Sequence, residues 1–326
     1  VVEANSDAGS FKLYDDMPLF WDAWDVELYH TQKYTNISSA ETVTPVESGP
    51  LRASVKVKLD IGANSTMEQL ITLSADSPRL DFRCKANWHE AHKLLKVEFP
   101  LMIRSDTATF EIQYGHLQRP THQNTPLDLA KFESVAHKWA DLSEQGYGVA
   151  LLNDCKYGYS VSGNRMKLSL LRAPKAPDAY SDMGYHEFNF ALFPHENGPE
   201  DGGVIHEAYE FNNPIEITQI PHYKGQSNSV SGVSVSSPRA IISSVKKSED
   251  GKGTILRIYE AFGGRGRVNI TVSEHVQKFT EVSICDILER EKTEAGSLAI
   301  DVVENGERVI TDVELKPFQV VTLMLK

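Results

Sequence analysis

Apolar and polar residues alternate with a period of two along much of this chain. In Leu51–Ile61, leucine, alanine, valine and isoleucine occupy every second position, and charged or hydroxyl residues stand between them. The same alternation recurs in Leu80–Trp88 and in Phe110–Tyr114. Because successive side chains of a strand point to opposite faces, each segment is predicted to be a β-strand with one buried face.

Turn-forming residues separate these predicted strands. The clearest turn signals are Ser77-Pro78, Ser162-Gly163-Asn164 and Asp250-Gly251. Short strands joined by turns at regular spacing predict antiparallel sheets packed as a sandwich, not alternating strands and helices. Gly263-Gly264 lacks the helix that follows a phosphate-binding loop, so it is predicted to be a hairpin turn. Thr125–Glu144 also fits a helical period, and at most one or two helical turns are expected there.

The chain is predicted to contain two β-domains. Its 326 residues exceed the roughly 250–300 residues at which a single core usually stops growing. Tyr223–Val233 is rich in serine, glycine and asparagine and has no apolar period, as is typical of linkers. Residues 1–225 are therefore assigned to a large first domain, residues 226–232 to a linker, and residues 233–326 to a small Ig-like sandwich.

Composition and charge narrow the range of partners. The net charge is −12 and is spread along the chain, so phosphate backbones would be repelled and no nucleic acid is expected as a partner. No run reaches the roughly 18 apolar residues that a membrane span needs, so no membrane insertion is expected. The three cysteines, Cys84, Cys155 and Cys285, are widely separated, which predicts buried free thiols in a reducing compartment.

The segment Trp21–Glu27 brings two tryptophans and three carboxylates together within seven residues. As a strand, it would place Asp22 and Trp24 on one face and Trp21 and Asp25 on the other. Indole faces stack on the C–H faces of sugar rings, and carboxylates accept hydrogen bonds from hydroxyls, so the segment is a candidate sugar-binding surface. In the alternative, structural interpretation, both tryptophans pack in the core and the carboxylates are hydrogen-bonded nearby.

Three further residues are candidates for contact with a substrate. Arg119 and His122 belong to a loop after a predicted strand, and loops on a rigid sheet often carry binding groups. His186 flanks an alternating strand and is a third candidate. Each of these side chains could instead fix its own loop or pack against its neighbours. His89–His92 lacks the spacing that places two histidines on one helix face, so no metal site is assigned there.

Several longer blocks occur in a fixed order after Trp21–Glu27. They are Arg119–Thr125, Ala136–Glu144, Leu151–Tyr159, Leu170–Pro174 and Gly184–Phe188. The order and the sequences of these blocks resemble the C-terminal β-domain of family 38 glycoside hydrolases, in the branch of cytosolic and vacuolar α-mannosidases. The resemblance runs from about Asp15 to Lys326. It implies an all-β fold, in which a large antiparallel β-sandwich of the galactose mutarotase-like supersandwich type precedes a small Ig-like β-sandwich.

The resemblance implies an enzyme of which this chain is the C-terminal portion. Members of the family are retaining, exo-acting α-mannosidases, whose Asp nucleophile and zinc ligands lie in domains that precede this one. The resemblance therefore assigns no catalytic residue and no metal ligand to this chain, and zinc is expected only in the N-terminal barrel. The β-domain is expected to close one side of the active-site cleft and to support assembly.

The implied partners are a mannose-containing oligosaccharide, the protein's own N-terminal catalytic domain and further copies in a homo-oligomer. The implied compartment is the cytoplasm, with the vacuole or lysosome lumen as the alternative. The rival interpretation is a stand-alone carbohydrate-binding or assembly module without catalysis. The length of the natural reading frame separates the two interpretations.

Overall fold

The structure, a computed structural model, describes residues 1–2, 6–219, 229–292, 298–302 and 308–326. Contacts between Cα atoms divide the chain into two compact units. The large unit comprises Val1–Ile112 and Leu117–Pro214, and the small unit comprises Gln113–His116 and Ile215–Lys326. The predicted linker at residues 226–232 lies partly outside the described residues, so that boundary stays a prediction.

The prediction of an all-β fold is confirmed. The strands of the first part of the chain are β1 (Ser10–Asp15), β2 (Tyr34–Ile37), β3 (Thr42–Ser48), β4 (Arg52–Asp60), β5 (Thr66–Ser74), β6 (Leu80–Trp88), β7 (Lys93–Pro100), β8 (Thr107–Ile112), β9 (Gly115–Pro120), β10 (Ser134–Val135), β11 (Trp139–Glu144), β12 (Tyr147–Asn153), β13 (Gly158–Ser162), β14 (Arg165–Arg172) and β15 (Gly184–Glu196). They form a six-stranded sheet in the order β10-β13-β14-β7-β1-β2 and a nine-stranded sheet in the order β3-β4-β5-β6-β15-β12-β11-β8-β9.

One hydrophobic core joins the inner faces of these two sheets. Phe99 of β7 packs against Phe82 of β6, with ring centroids 5.8 Å apart, and against Phe190 of β15 at 6.3 Å. Trp88 and Trp139 are also fully buried. Since core side chains come from both sheets, the large unit is a β-sandwich, as the alternating pattern predicts.

Part of the predicted pattern is less buried than expected. Leu51 is 80% exposed, and the first half of β4 has no buried apolar side chain. The buried side chain there is that of Ser54, which points to the opposite face of the strand from the core residue Leu59. Its hydroxyl lies 3.1 Å from that of Thr72. The cysteines are free, as predicted, but Cys155 is exposed whereas Cys84 and Cys285 are buried. The expectation of three buried thiols was therefore wrong for Cys155.

In the part of the chain that the structure describes, helical structure is confined to short segments. A 3-10 helix spans Leu28–Gln32, α1 spans Pro126–Leu129 and α2 spans Val204–Asn212. The single turn of α1 agrees with the one or two turns predicted in Thr125–Glu144. Thr125 and Asp128 cap it reciprocally. Within the described ranges, no helix is long and apolar enough to cross a lipid bilayer.

The small unit is a second sandwich of two four-stranded sheets. Its strands are β16 (Val233–Val235), β17 (Ala240–Lys247), β18 (Thr254–Glu260), β19 (Gly266–Val272), β20 (Val282–Cys285), β21 (Ile300–Val302), β22 (Arg308–Leu315) and β23 (Val320–Leu325). The sheet orders are β16-β19-β22-β21 and β17-β18-β23-β20. Since β18 and β19 lie in different sheets, Gly263-Gly264 is a crossover between sheets and the hairpin prediction was wrong.

A buried carboxylate explains that crossover. Glu260 is 0% exposed. Its side chain accepts hydrogen bonds from the backbone N–H groups of Phe262 at 3.1 Å, Gly263 at 2.8 Å and Gly264 at 3.1 Å. It also accepts one from Phe318 at 3.1 Å. The chain therefore turns around Glu260 and does not form a two-residue hairpin.

Candidate functional site

A cavity of about 400 Å³ opens on the six-stranded sheet. It lies at a β-bulge in β14, where the pairing with β7 shifts between Ser169 and Leu171. A bulge bends its strand and redirects the side chains around it, and here it turns both residues toward the cavity. The aliphatic wall consists of Val26, Leu94, Leu170 and Leu171, and the polar wall of Glu133, Lys156, Ser169, Arg172, Asp182 and His186.

Arg172 fastens the N-terminal candidate segment to this cavity. Its Nε lies 2.5 Å from a carboxylate oxygen of Asp16, which is only 1% exposed. The same guanidinium donates to the carbonyl oxygens of Ala23, at 3.1 Å, and of Asp25. Arginine suits this position because its planar fork donates several hydrogen bonds in fixed directions. The segment that begins at Trp21 is therefore held against the end of β14.

The strand interpretation of Trp21–Glu27 was wrong. The N–H groups of Trp24 and Asp25 both donate to the carbonyl of Trp21, at 2.8 and 2.9 Å, so the chain forms a tight turn. Trp21 has a φ of 54°, a left-handed value that breaks any period-two pattern. The predicted division of its side chains between two strand faces therefore does not exist.

The two tryptophans lie on the surface and not in the core. Trp21 and Trp24 are each 70% exposed, and their ring centroids are 6.4 Å apart in an edge-to-face arrangement. The structural alternative, in which both indoles are core anchors, was therefore also wrong. Met17, Leu19 and Phe20 are exposed beside them, and these five side chains are called the Met17–Trp24 surface below. An apolar surface of this kind often marks a contact with another domain or a ligand.

Asp22 has a structural role. One of its carboxylate oxygens accepts the backbone N–H groups of Lys175, at 2.6 Å, and of Ala176, at 3.0 Å. The other oxygen lies 3.5 Å from Nδ1 of His92. Burial by itself raises the pKa of Asp22, but the two N–H donors, His92 and Arg172 together lower it below its ordinary value. The side chain thus ties its turn to the chain that follows β14.

This lowered pKa predicts a pH-dependent effect of Asp22→Asn. Because the pKa is lower in the folded chain than in the unfolded one, the ionised carboxylate adds stability above the unfolded value of about 3.9. That contribution is lost as the pH falls through the folded pKa. The variant should therefore be less stable than the wild type at neutral pH, and the difference should shrink below about pH 4. Urea titrations across this range measure it, and a constant difference would contradict the assignment.

Glu133 and Ser169 form a hydrogen-bonded pair at the polar wall of the cavity. One carboxylate oxygen of Glu133 lies 2.5 Å from Nζ of Lys96, whose side chain is 2% exposed. The other accepts the Ser169 hydroxyl at 2.5 Å. A Cβ on Gly158 would lie 2.8 Å from Glu133 Oε1 and 3.0 Å from Ser169 Cβ. Glycine at this position therefore keeps the space in front of the pair open.

Of the other sequence candidates, only His186 reaches this cavity. His186 lines it and contacts the carbonyl oxygen of Asp182 through Nε2 at 2.7 Å. Because a carbonyl only accepts, Nε2 carries a proton, and in the neutral imidazole Nδ1 is an acceptor. Val26 also lines the cavity, so the structure brings the Trp21–Glu27 segment and His186 to one place.

Arg119 and His122 are not among the residues that line the cavity. Arg119 donates to the carbonyl of Val135 at 3.0 Å, and its guanidinium stacks over the ring of Phe110 at 4.5 Å. Its burial lowers its pKa below the ordinary value for arginine. His122 lies 3.6 Å from a carboxylate oxygen of Asp128 at the start of α1. Their described contacts favour the alternative of a loop-fixing role, although contact with a substrate stays a prediction.

A buried chain of Ser143, Asp141 and His195 superficially resembles a hydrolase triad. Asp141 accepts the Ser143 hydroxyl with one oxygen and lies 2.7 Å from His195 Nε2 with the other. The carboxylate therefore stands between serine and histidine, so the histidine is not placed to take the serine proton. The side chains of Asp141 and His195 are each 1% exposed, and the arrangement is structural.

No metal site emerges from the part of the chain that the structure describes. Among those residues, no group of three or more histidine, cysteine, aspartate or glutamate side chains is arranged to hold an ion. In the His89–His92 segment, Glu90 accepts the backbone N–H of Asn64 at 3.0 Å and the Ser65 hydroxyl at 2.8 Å. That carboxylate is therefore engaged in fixing the turn between β4 and β5.

Curated relatives match nearly the whole chain. Alpha-mannosidase 2C1 of Homo sapiens is 46% identical over 319 residues, which are 97% of this chain and 30% of the relative. Alpha-mannosidase G of Dictyostelium discoideum is 41% identical and covers 95% of this chain and 29% of its own length. Alpha-mannosidase of Saccharomyces cerevisiae is 35% identical, and the match covers 98% of this chain and 31% of that relative. The chain thus spans about 30% of the length of these relatives.

Solved structures share the fold at low sequence identity. The crystal structure of an alpha-mannosidase from Enterococcus faecalis superposes with a TM-score of 0.76 at 16% identity, over 98% of this chain and 38% of that one. A second structure from Enterococcus faecalis, described as a protein in the glycosyl hydrolase family 38, gives a TM-score of 0.75. At this identity the likeness supports the fold alone.

Two family models account for most of the sequence. The glycosyl hydrolases family 38 C-terminal domain matches residues 2–180, and the glycosyl hydrolases family 38 C-terminal beta sandwich domain matches residues 239–323. The first match covers more than half of the chain and lies in the large unit, except for Gln113–His116, which belong to the small unit. With the identities of the relatives above, these matches show that the chain belongs to glycosyl hydrolase family 38 and carries its C-terminal domains.

Proposed function

We propose that this chain is the C-terminal portion of an α-mannosidase that removes terminal α-mannosyl residues from oligosaccharides with retention of configuration. The observation that carries the proposal is the match of nearly the whole chain to proteins named alpha-mannosidases, at up to 46% identity. Those relatives are about three times longer, so the nucleophile and the acid/base carboxylate are proposed to lie in a preceding portion. Zinc is proposed to lie in that portion as well, as the resemblance to the family implies.

The proposed role of the chain is to close one side of the active-site cleft. Support comes from the Met17–Trp24 surface, where two indoles are 70% exposed next to a cavity with polar walls. Exposed tryptophan leaves a large apolar area in water, which is unfavourable unless another domain or a sugar ring covers it. Arg172 holds the adjoining turn in place, so the indoles are presented from a fixed backbone.

The decisive experiment compares this chain with the longer protein. Both are assayed on an aryl α-mannoside with zinc added. The longer protein should hydrolyse it, and residues 1–326 alone should not, because a glycosidase needs two suitably placed carboxylates. An inactive longer protein would overturn the proposed enzyme and favour the stand-alone carbohydrate-binding or assembly module. Turnover by this chain alone would overturn the assignment of catalysis to the preceding portion.

Side chains of the turn at the proposed cleft should affect activity without affecting folding. In the longer protein, Trp24→Ala and Asp25→Asn should each lower kcat/KM by about tenfold, equivalent to about 1.4 kcal/mol. In this chain alone, Trp24→Ala should change the free energy of unfolding by no more than about 0.5 kcal/mol, because the indole is largely exposed. Leu127→Ala, which removes another exposed apolar side chain, is the matched control. Normal turnover in both variants would show that the turn does not face the substrate.

The proposal also covers location and assembly. The branch of the family that the sequence resembles suggests a cytoplasmic protein, with the vacuole or lysosome lumen as the alternative. Homo-oligomerisation is proposed on the same basis. Fractionation of cells and light scattering of the longer protein test these two statements independently of activity.

A further inference from the structure

We propose that the cavity at the β14 bulge is a binding site for one neutral, polyhydroxylated ring, such as a single hexopyranose, and that the chain binds this ligand without any preceding domain. The proposal goes beyond the cleft-closing role, because it assigns binding to the chain itself. Glu133, Ser169 and His186 supply its polar contacts, and Gly158 sets its size.

The charge balance of the cavity favours a neutral ligand. Glu133 is paired with buried Lys96, and Arg172 is paired with buried Asp16. Neither pair therefore leaves a full charge to neutralise. The two other charged residues of the wall, Lys156 and Asp182, have opposite signs. An anion or a cation would gain attraction from one of them and repulsion from the other, whereas a neutral polar molecule would avoid this conflict.

The mixture of hydrogen-bonding groups favours hydroxyls. Nε2 of His186 donates to a carbonyl, so in the neutral imidazole Nδ1 is an acceptor. The Ser169 hydroxyl donates its hydrogen bond to Glu133, and its oxygen can still accept a hydrogen bond from a ligand. Lys156 can only donate, and the Asp182 carboxylate can only accept. A hydroxyl both donates and accepts, so one ligand type can serve all of these groups.

The shape of the cavity favours a ring. About 400 Å³ falls in the range of roughly 300–1,000 Å³ that is usual for small-molecule sites. The wall of Val26, Leu94, Leu170 and Leu171 offers an apolar surface for the C–H face of a pyranose. A Cβ at position 158 would approach Glu133 Oε1 to 2.8 Å. Any side chain there would therefore intrude on the polar end of the site.

The test is saturation-transfer NMR on the whole chain with methyl α-mannoside as the probe. For a ligand of this size, a Kd on the order of 1 mM is expected. His186→Ala, which removes a partly exposed side chain, should keep the fold and weaken binding about tenfold, which corresponds to the loss of one well-placed hydrogen bond. Gly158→Ala should reduce binding further. His89→Ala removes an exposed histidine outside the cavity and should leave binding unchanged.

Each outcome bears on the proposal. Absence of saturation transfer from the wild-type chain to the mannoside would overturn it, even if the longer protein is an active α-mannosidase. Binding that survives both His186→Ala and Gly158→Ala but is lost in Trp24→Ala would place the sugar on the exposed indole and also overturn it. Stronger binding of inorganic phosphate than of the mannoside would refute the neutral ligand. Binding with the expected variant pattern would support the site even if the longer protein proved inactive.

Discussion

Arg172→Ala is expected to destabilise the large unit by about 3–5 kcal/mol, the usual cost of removing one partner from a buried ion pair. The variant leaves the Asp16 carboxylate, which is 1% exposed, without its cation. It also removes the donors to the carbonyls of Ala23 and Asp25. The turn that carries Trp21 and Trp24 should therefore become mobile even where the sandwich stays folded.

Tryptophan fluorescence during urea unfolding measures this effect selectively. All four tryptophans lie in the first 139 residues, so their signal reports on the large unit alone. Trp88 is a close reporter, because its indole N–H donates to the carbonyl of Arg172 at 3.3 Å. Arg165→Ala is the matched control. Its partner Glu98 keeps Lys12 at 3.5 Å and Lys167 at 3.2 Å, so little stability should be lost. Equal losses in the two variants would contradict the special role of Arg172.

Local patterns predicted most of the sheet structure. The alternation in Leu80–Trp88 corresponds to all nine residues of β6. A strand with one buried face needs an apolar residue at every second position, so its sequence alternates with the same period. The turns at Ser162–Asn164 and Asp250-Gly251 join strands as expected. The pattern failed at Leu51, which precedes β4 and is 80% exposed. Alternation predicts which side chains share a face, but not how far that face is covered.

The site depended on contacts that no local pattern contains. The bond from Arg172 to Asp16 spans 156 residues, and the ion pair of Lys96 and Glu133 spans 37. One signal was present, since Lys96 and Glu98 interrupt the apolar run Leu94–Pro100 of β7. Charged residues at such positions are rarely buried without partners. That signal could indicate a buried ion pair, but it does not identify the partner.

The Trp21–Glu27 segment shows why composition and conformation must be separated. Two indoles and three carboxylates in seven residues indicated a sugar-binding surface, which stays a prediction, although the structure does leave both indoles exposed. The strand assignment failed because Trp21 takes a positive φ, which is uncommon for a bulky residue and has no sequence signature. The two aspartates of this segment are also held in different ways, Asp22 through its carboxylate and Asp25 through its backbone carbonyl. Asp22 binds the backbone after β14, whereas the carbonyl of Asp25 is held by Arg172.

Glu260→Ala is expected to have the largest effect in the small unit, a loss of about 2–4 kcal/mol. The carboxylate is fully buried and accepts four backbone N–H groups, from Phe262, Gly263, Gly264 and Phe318. Removing it leaves these donors without an acceptor, and each unsatisfied buried donor costs about 1–3 kcal/mol. The estimate is below the sum because relaxation of the loop and entering water will satisfy part of the set.

Circular dichroism and tryptophan fluorescence together assign this loss to the small unit. That unit contains no tryptophan, so the Glu260→Ala change should appear in the dichroism transition and be smaller or absent in fluorescence. Glu281→Ala removes an exposed carboxylate from the same unit and should be nearly neutral. Glu260→Gln keeps one acceptor oxygen but turns an amide NH₂ toward backbone donors, so its stability should lie between those of Glu260→Ala and the wild type. If Glu260→Ala unfolds at the same urea concentration as Glu281→Ala, the crossover is held by its glycines and core packing and not by the carboxylate.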